Sequence, residues 1–478
     1  MHPSRSLGGW SGKPPAVLAV LVVLLGTVGR TPASGGLIAP GATLVPVRSD
    51  SRFYEGPSWD TFTEKLYFSA LSTNELFRLT PPDTSALWMS DTRGINGTYL
   101  ANDGRLLCAQ GSARRILSLR IGPNGPEDPI ILAENPVWNA PNDLCQTPAG
   151  DIYFTTPDFG AQTTSKVYRL TSTGATTAVI TDMPLCNGII GSLDGSILYV
   201  SDSSRKWWRS YPVNPDGSVG AGSLFFNPST PNQNDPDGMT IDEFGNLYFA
   251  GRGGFWIVSP DGQQLDMVAV PEFVTNLTFG GTDGRTLYIT CDGKLYSLAM
   301  EVRGGRWHNV PEDNQPPAVN AGPDLRTTSR FPTAWLDGSV TDDGLPDPPG
   351  ALTVAWSKVS GPGDVDWSAP TAARTLATFS TVGTYVLQLM AYDGIRSAID
   401  QVTVRVLRVG DLDDDTSVDQ DDVALFRECV TGSGNGPPIT ACELADIDAD
   451  QDVDQTDFGL LQRCISGPGA YSDPHCAG

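Results

Sequence analysis

Six residues in the first two thirds of the chain carry side-chain oxygens and recur in phase: Glu55, Asn96, Asn142, Asn187, Asp237 and Asn276. Each stands 10 or 11 residues before the start of a short apolar run. Core packing does not ask for such a series, because polar atoms buried without partners cost free energy. Asparagine is common in turns before strands, which accounts for one or two of the six but not for all of them in register. Two carboxylates among neutral amides suit a hard divalent cation, Ca²⁺ most naturally, with Zn²⁺ or Mn²⁺ as the other choices.

A second constellation lies in the last 70 residues. Asp411, Asp413, Asp415, Ser417, Asp419 and Asp422 fall at positions 1, 3, 5, 7, 9 and 12 of a twelve-residue loop. Asp446, Asp448, Asp450, Asp452, Asp454 and Asp457 repeat that spacing 35 residues later. Alternating carboxylates on such a loop can wrap one Ca²⁺, with position 7 giving its backbone carbonyl, so two Ca²⁺ are expected. Thr416 and Gln451 stand where the loop prefers glycine, and aspartate replaces glutamate at position 12. Residues 409–478 hold 16 acids against Arg427 and Arg463 alone. A merely solvated acidic tail would not reproduce the spacing twice.

The elements that must position the first set are short strands. Leu66-Tyr67-Phe68, Leu106-Leu107-Cys108, Ile152-Tyr153-Phe154, Leu198-Tyr199-Val200, Leu247-Tyr248-Phe249 and Leu287-Tyr288-Ile289 begin 40, 46, 46, 49 and 40 residues apart. Each precedes a second apolar strand, as in Lys166-Val167-Tyr168-Arg169-Leu170. A period in the forties built of strands and turns predicts a six-bladed β-propeller over 37–302, and helical apolar spacing is absent. Equivalent positions on successive blades ring the central axis, so the six polar side chains should converge on one tunnel. There Asn96 and Asn276 would orient substrate hydroxyls or water.

These residues resemble the SMP-30/gluconolactonase family of six-bladed propellers. The resemblance rests on Glu55-Gly56-Pro57, Ala140-Pro141-Asn142-Asp143-Leu144, Asp151-Ile152-Tyr153-Phe154-Thr155, Asn187-Gly188, Pro236-Asp237-Gly238-Met239 and Thr275-Asn276-Leu277-Thr278-Phe279-Gly280-Gly281. It implies that Glu55, Asn142, Asn187 and Asp237 surround a catalytic divalent metal, with Asp237 also a candidate base. It implies a small-molecule lactone substrate, most naturally a sugar lactone. Two positions depart from the pattern: Thr156 where many relatives carry Asp, and Gln110 where they often carry His. A catalytically silent propeller scaffold and an organophosphate or aryl ester hydrolase are the alternative readings.

Residues 303–317 have the composition of a linker, and 318–408 alternate as strands of an immunoglobulin-like β-sandwich. Asn320-Ala321-Gly322-Pro323-Asp324 and Tyr392-Asp393-Gly394 resemble PKD-like domains. The two acidic loops lead into the apolar, helix-like stretches 423–430 and 458–465, so 409–468 resembles a small α-helical, type I dockerin, followed by a tail at 469–478. That resemblance implies a cohesin-type partner or a cell-surface assembly. The fold class expected is therefore mainly β, with the helices confined to the calcium-loop domain.

Composition narrows the rest. The 478 residues carry 55 Asp+Glu against 31 Lys+Arg, a net charge of −24 that excludes nucleic acid as a partner. With only His2, His308 and His475, a Ser-His-Asp triad or a histidine-rich zinc site has almost nothing to draw on. Arg5 and Lys13 before an apolar run from Ala16 to Val28, then small residues, read as a secretory signal over 1–34. Export without a membrane span after its removal is the expectation. Cys429, Cys442, Cys464 and Cys476 suit two local disulfides, whereas Cys108, Cys145, Cys186 and Cys291 read as scattered buried thiols.

Overall fold

The computed structural model describes residues 36–477 apart from 123, 229–234, 309, 311–313, 346–351, 472 and 474–475. The secretory signal expected over 1–34 and His475 lie outside the described residues. No helix among those described is long and apolar enough to cross a membrane.

Residues 37–302 form a propeller-type fold of antiparallel strands laid down in chain order. One four-stranded sheet runs Ile95–Leu100, Leu106–Gln110, Arg115–Ile121, Pro126–Glu134. The next three begin at Leu144–Gln146, Cys186–Gly191 and Met239–Ile241 and repeat the pattern. A six-stranded sheet joins the two ends of the region, because two of its strands are long enough to serve twice. The first half of Val45–Asp60 pairs with Thr286–Ala299 (Val45 with Ser297, Ser49 with Lys294), and its second half pairs with Lys65–Ala70 (Tyr54 with Ala70, Asp60 with Lys65). The first strand of the propeller region thus completes the last repeat.

The repeated Leu-Tyr-Phe strands lie second in each meander and are buried throughout. Leu66, Tyr67, Phe68, Tyr153, Phe154, Leu247, Tyr248 and Phe249 are almost wholly excluded from solvent. Each large apolar side chain so buried contributes about 1.5–3 kcal/mol, which fixes the strands that the ring residues precede.

Residues 303–307 and 310 are packed, although the segment 303–317 has the composition of a linker. Trp307 and Val310 join the propeller's core cluster, and Arg303 forms a buried ion pair with Glu243 at 2.7 Å. Beyond it stand a two-stranded pair, Ala318–Asn320 with Ser339–Thr341, and two larger sheets. Leu325–Thr328, Ser397–Leu407, Gly383–Tyr392 and Thr353–Ser360 form one, and Thr333–Asp337, Arg374–Phe379 and Val365–Trp367 the other. Alternate residues Tyr385, Leu387 and Leu389 meet Leu336, Trp356 and Phe379 in their shared core. The chain ends in helices Gln420–Cys429 and Gln455–Cys464, each starting three residues before the apolar stretch read from the sequence. Asp419 with Asp422, and Asp454 with Asp457, form capping boxes that set those starts. Disulfides join Cys429 to Cys442 and Cys464 to Cys476.

Candidate functional site

Each of the six phased residues lies on, or just before, the first strand of its repeat. Successive sheets meet at the residue that follows. Gly56, in the left-handed region at φ 47°, lies so close to the next repeat that a Cβ would sit 2.3 Å from the Asn96 carbonyl oxygen. Gly97 N donates to the Asn142 carbonyl at 2.6 Å. Ile189 N, beside Asn187-Gly188, donates to the Asp143 carboxylate at 3.3 Å. Gly238 N donates to the Thr275 carbonyl at 2.7 Å, and a Cβ on Gly238 would overlap the Asn276 amide at 2.0 Å. Thr275 Oγ1 then donates to the Tyr54 carbonyl at 2.6 Å, next to Glu55. A Cβ on Gly188 would sit 2.3 Å from the Asp237 carbonyl oxygen, which supplies the remaining step, so the contacts return to where they began and the six positions form a closed ring.

Five of the six are between 5 and 7% exposed: Glu55, Asn142, Asn187, Asp237 and Asn276. Asn96 differs. It is half-buried, and its described contact is through its backbone carbonyl, which accepts from Ser69 Oγ at 2.8 Å.

Asp143 is a site residue that the phase argument missed. It is 7% exposed and stands one place after Asn142, where the other repeats carry Gly56, Gly97, Gly188, Gly238 and Leu277. An acid at a position otherwise occupied by small or apolar residues was the available signal. The three carboxylates perturb one another. Burial pushes Glu55 up to about 8, with the Asp143 charge adding to it and bonds from Gly56 N and the Asn276 amide opposing it. Burial likewise lifts Asp143 to about 7. Asp237 is held well above the ordinary carboxylate range by burial first, then by Glu55 and Asp143. A cation among them would reverse the logic and favour the ionised forms. The residues fit such a cation: Asn187 Oδ1 is buried in the ring with no hydrogen-bond partner.

Of the ring residues, Asp143 and Asn276 also line a cavity of about 120 Å³, together with Ser58, Thr98, Thr240 and Arg306 among others. The segment Gly304–Trp307 contributes to its wall. Three bonds between Arg303 and the Glu243 carboxylate hold that segment, and Arg306 Nη2 donates to the Leu100 carbonyl at 2.6 Å.

Gln110 and Thr156 are both buried and committed. Gln110 Nε2 donates to the Thr92 carbonyl at 2.7 Å while its Oε1 accepts from Arg115. Thr156 Oγ1 donates to the Lys166 carbonyl at 3.1 Å. Neither offers a titrating group to the ring. Cys108, Cys145, Cys186 and Cys291 are buried free thiols. Burial pushes Cys186 to about 12 and holds Cys145 higher still, so neither supplies a thiolate nucleophile.

In the tail, carboxylate oxygens of Asp411, Asp413 and Asp422 lie within 4.8 Å of one another, and so do those of Asp446, Asp448, Asp450 and Asp457. Asp452 and Asp454 make a similar group with Asp457. Asp415 and Asp419 instead accept from the Ser417 hydroxyl, at 2.8 and 3.2 Å. Thr416 and Gln451 take the left-handed backbone, φ 79° and 74°, for which the loop prefers glycine. Asp448 Oδ1, at position 3, is buried without a partner, as a cation ligand would be; Asp452 Oδ1 is also without a partner, but at position 7 the loop would use the backbone carbonyl.

A closed propeller carrying a buried ring of carboxylates and amides is the class of protein this geometry defines. The SMP-30/Gluconolactonase/LRE-like region matches residues 53–292. The chain belongs to that family. It is 25% identical to the gluconolactonase of Zymomonas mobilis, over 58% of this chain and 88% of the relative. It is 30% identical to the 6-deoxy-6-sulfogluconolactonase of Pseudomonas putida, over 51% of this chain and 84% of the relative. The fold matches that of a gluconolactonase from Xanthomonas campestris with a TM-score of 0.50 at 24% identity, covering 55% of this chain and 91% of that one.

Proposed function

We propose that this chain is a metal-dependent hydrolase of sugar lactones, exported and carrying a calcium-loaded docking tail. The carrying observation is the buried ring, in which, among the described residues, Asn187 Oδ1 lacks a partner and no cationic group offsets the burial of Glu55, Asp143 and Asp237. We assign Glu55, Asn142, Asn187 and Asp237 to a divalent cation, Ca²⁺ by the hardness of the oxygen set. Such a cation supplies polarisation of the lactone carbonyl and electrostatic balance for the charge that builds on its oxygen.

The chain's own groups do the rest. The Asp237 carboxylate takes a proton from the attacking water, the water oxygen bonds to the carbonyl carbon, and the ring C–O bond breaks. The departing alkoxide then recovers a proton, giving a hydroxy acid. Asn276, whose amide bonds to Glu55 and Asp143, holds those acids in place and leaves its remaining capacity to substrate hydroxyls. Asn96 would act from the margin of the ring.

We count the propeller as six blades, read 318–408 as a PKD-like immunoglobulin-type spacer, and read 409–468 as dockerin-like. The parallel pair and shared core of the sandwich and the two capped loop–helix units support these readings. Two disulfides in the tail suit an oxidising compartment, in line with a leader at the N-terminus. A cohesin-type protein or a surface assembly is the partner such a tail would take.

The test is proton release from a panel of sugar lactones followed by pH-stat, on full-length protein stripped with EDTA and reloaded with Ca²⁺, Zn²⁺ or Mn²⁺. Turnover should vanish on stripping and return with metal. Turnover unaffected by both stripping and Asp237→Asn would reject the reading.

A further inference from the structure

The two acidic loops are held differently. Arg326 and Arg405 are register partners on the parallel strands Leu325–Thr328 and Ser397–Leu407, so two guanidinium groups stand side by side on the sandwich. Asp414, fourth residue of the first loop, answers both. Arg405 Nη1 donates to Asp414 Oδ2, and Arg326 Nη2 lies 3.9 Å from the same oxygen. The Asp414 side chain is 17% exposed and the two arginine side chains 48 and 50%, so the pair is shielded from screening on the acid's side only. Only Arg408, Val409 and Gly410 separate the strand's end at Leu407 from the first loop residue, Asp411. Val409 is buried in the tail's own core, and Arg330 Nη1 donates to the Ala477 carbonyl at 3.4 Å. The second loop has Ala449 at the equivalent position, with the same left-handed backbone but no charge to offer.

We infer that calcium binding at the first loop is coupled to the seating of the tail on the sandwich, while the second loop answers to calcium alone. Asp414 sits between Asp413 and Asp415, so the turn that gathers the ligands also delivers the carboxylate to the arginine pair. Whatever fixes one fixes the other, and the coupling must run both ways. The arginines thereby act as positioning residues for the loop. This inference rests on reading the loops as calcium sites.

The decisive variant is Arg326→Gln/Arg405→Gln. It is made in the full chain with the ring silenced by Glu55→Gln/Asp237→Asn, so that only the loops report in a calorimetric Ca²⁺ titration. Charge alone predicts tighter binding, because two cations leave the neighbourhood of an acidic loop. Coupling predicts the opposite: one of the two tail sites weakens by about fivefold or more, the other holds, and X-ray scattering shows a more extended Ca²⁺-loaded chain. Arg405→Lys, which keeps the charge, should retain most of the affinity. Unchanged or tighter binding at both sites would overturn the coupling. Two silent loops in the chain with native arginines would overturn the calcium reading itself and the coupling with it.

Discussion

The ring and the tail loops both gather oxygen donors, but they do so on opposite scales. The ring takes one residue from each of six repeats spread over more than 200 positions, and the sheets hold it whether or not a cation is bound. Each loop takes its donors from twelve consecutive residues and has only two short helices and a small core behind it. A site built by tertiary symmetry can bury its acids deeply, at the cost of raising their pKa values. A local loop leaves most of its acids partly wet and depends on the cation to quiet their repulsion.

The largest difference should be in catalysis. Asp237→Asn keeps the side chain's shape and the contact with Asn187 but removes the proton acceptor, so lactone turnover should fall about 10²–10⁴-fold. Circular dichroism should be unchanged. Asp457→Asn in the tail should leave turnover within experimental scatter while abolishing one calcium site. A chain in which the tail variant was the more damaging to turnover would break the division between the two regions.

Next in size is the response to losing a staple. Removing the Cys429–Cys442 disulfide with paired alanines frees a loop of 13 residues, which should lower the stability of the tail by about 3 kcal/mol. Differential scanning calorimetry should show the tail transition moving down while the propeller transition stays. Chelation should produce the same asymmetry, with helical ellipticity lost and β signal kept.

The acids of the ring give a pH signature. Asp143 is raised to about 7 and Glu55 to about 8, so in the metal-free chain both bind more protons folded than unfolded through the intervening range. Stability of the propeller in EDTA should therefore fall as pH rises from about 4 toward 8. Asp143→Asn should flatten part of that fall, and saturating Ca²⁺ should flatten it further. Melting temperature against pH, with and without EDTA, reads this directly. A metal-free propeller that grew more stable over that range would contradict the burial argument.

Much of this was legible in the residues, and what was not has physical reasons. The phase of Glu55 through Asn276 is a count along the chain, and a propeller converts a count into a ring. Asp143 escaped because it stands one place out of that count, and tertiary contacts bring it into the site: Gly97 approaches its carboxylate closely and Ile189 N donates to it. The tail loops were legible because their geometry is local, though the capping boxes started both helices earlier than their apolar periodicity did. The segment 303–317 misled because its Gly, Pro and Asn content says nothing of tertiary partners. Glu243, which holds Arg303, lies 60 residues away.

The smallest effect concerns backbone alone and tests whether the loops are limited by local geometry. Thr416 and Gln451 sit at φ 79° and 74°, conformations that cost a non-glycine residue roughly 1–2 kcal/mol. Replacing either by glycine relieves that cost in the folded loop, but the unfolded chain gains freedom, which offsets part of it. The net gain should be about 0.5–1 kcal/mol, read as a two- to fivefold tighter Ca²⁺ site in the substituted loop. Thr416 N also donates to Asp411 at 3.1 Å, and Gln451 N to Asp446 at 3.0 Å, bonds that glycine preserves. If Thr416→Gly tightened the first loop and Gln451→Gly the second by the same factor, the two loops would share one intrinsic geometry. Any difference in their absolute affinities would then have to come from their surroundings, with Asp414 against Arg326 and Arg405 on one side and Ala449 on the other.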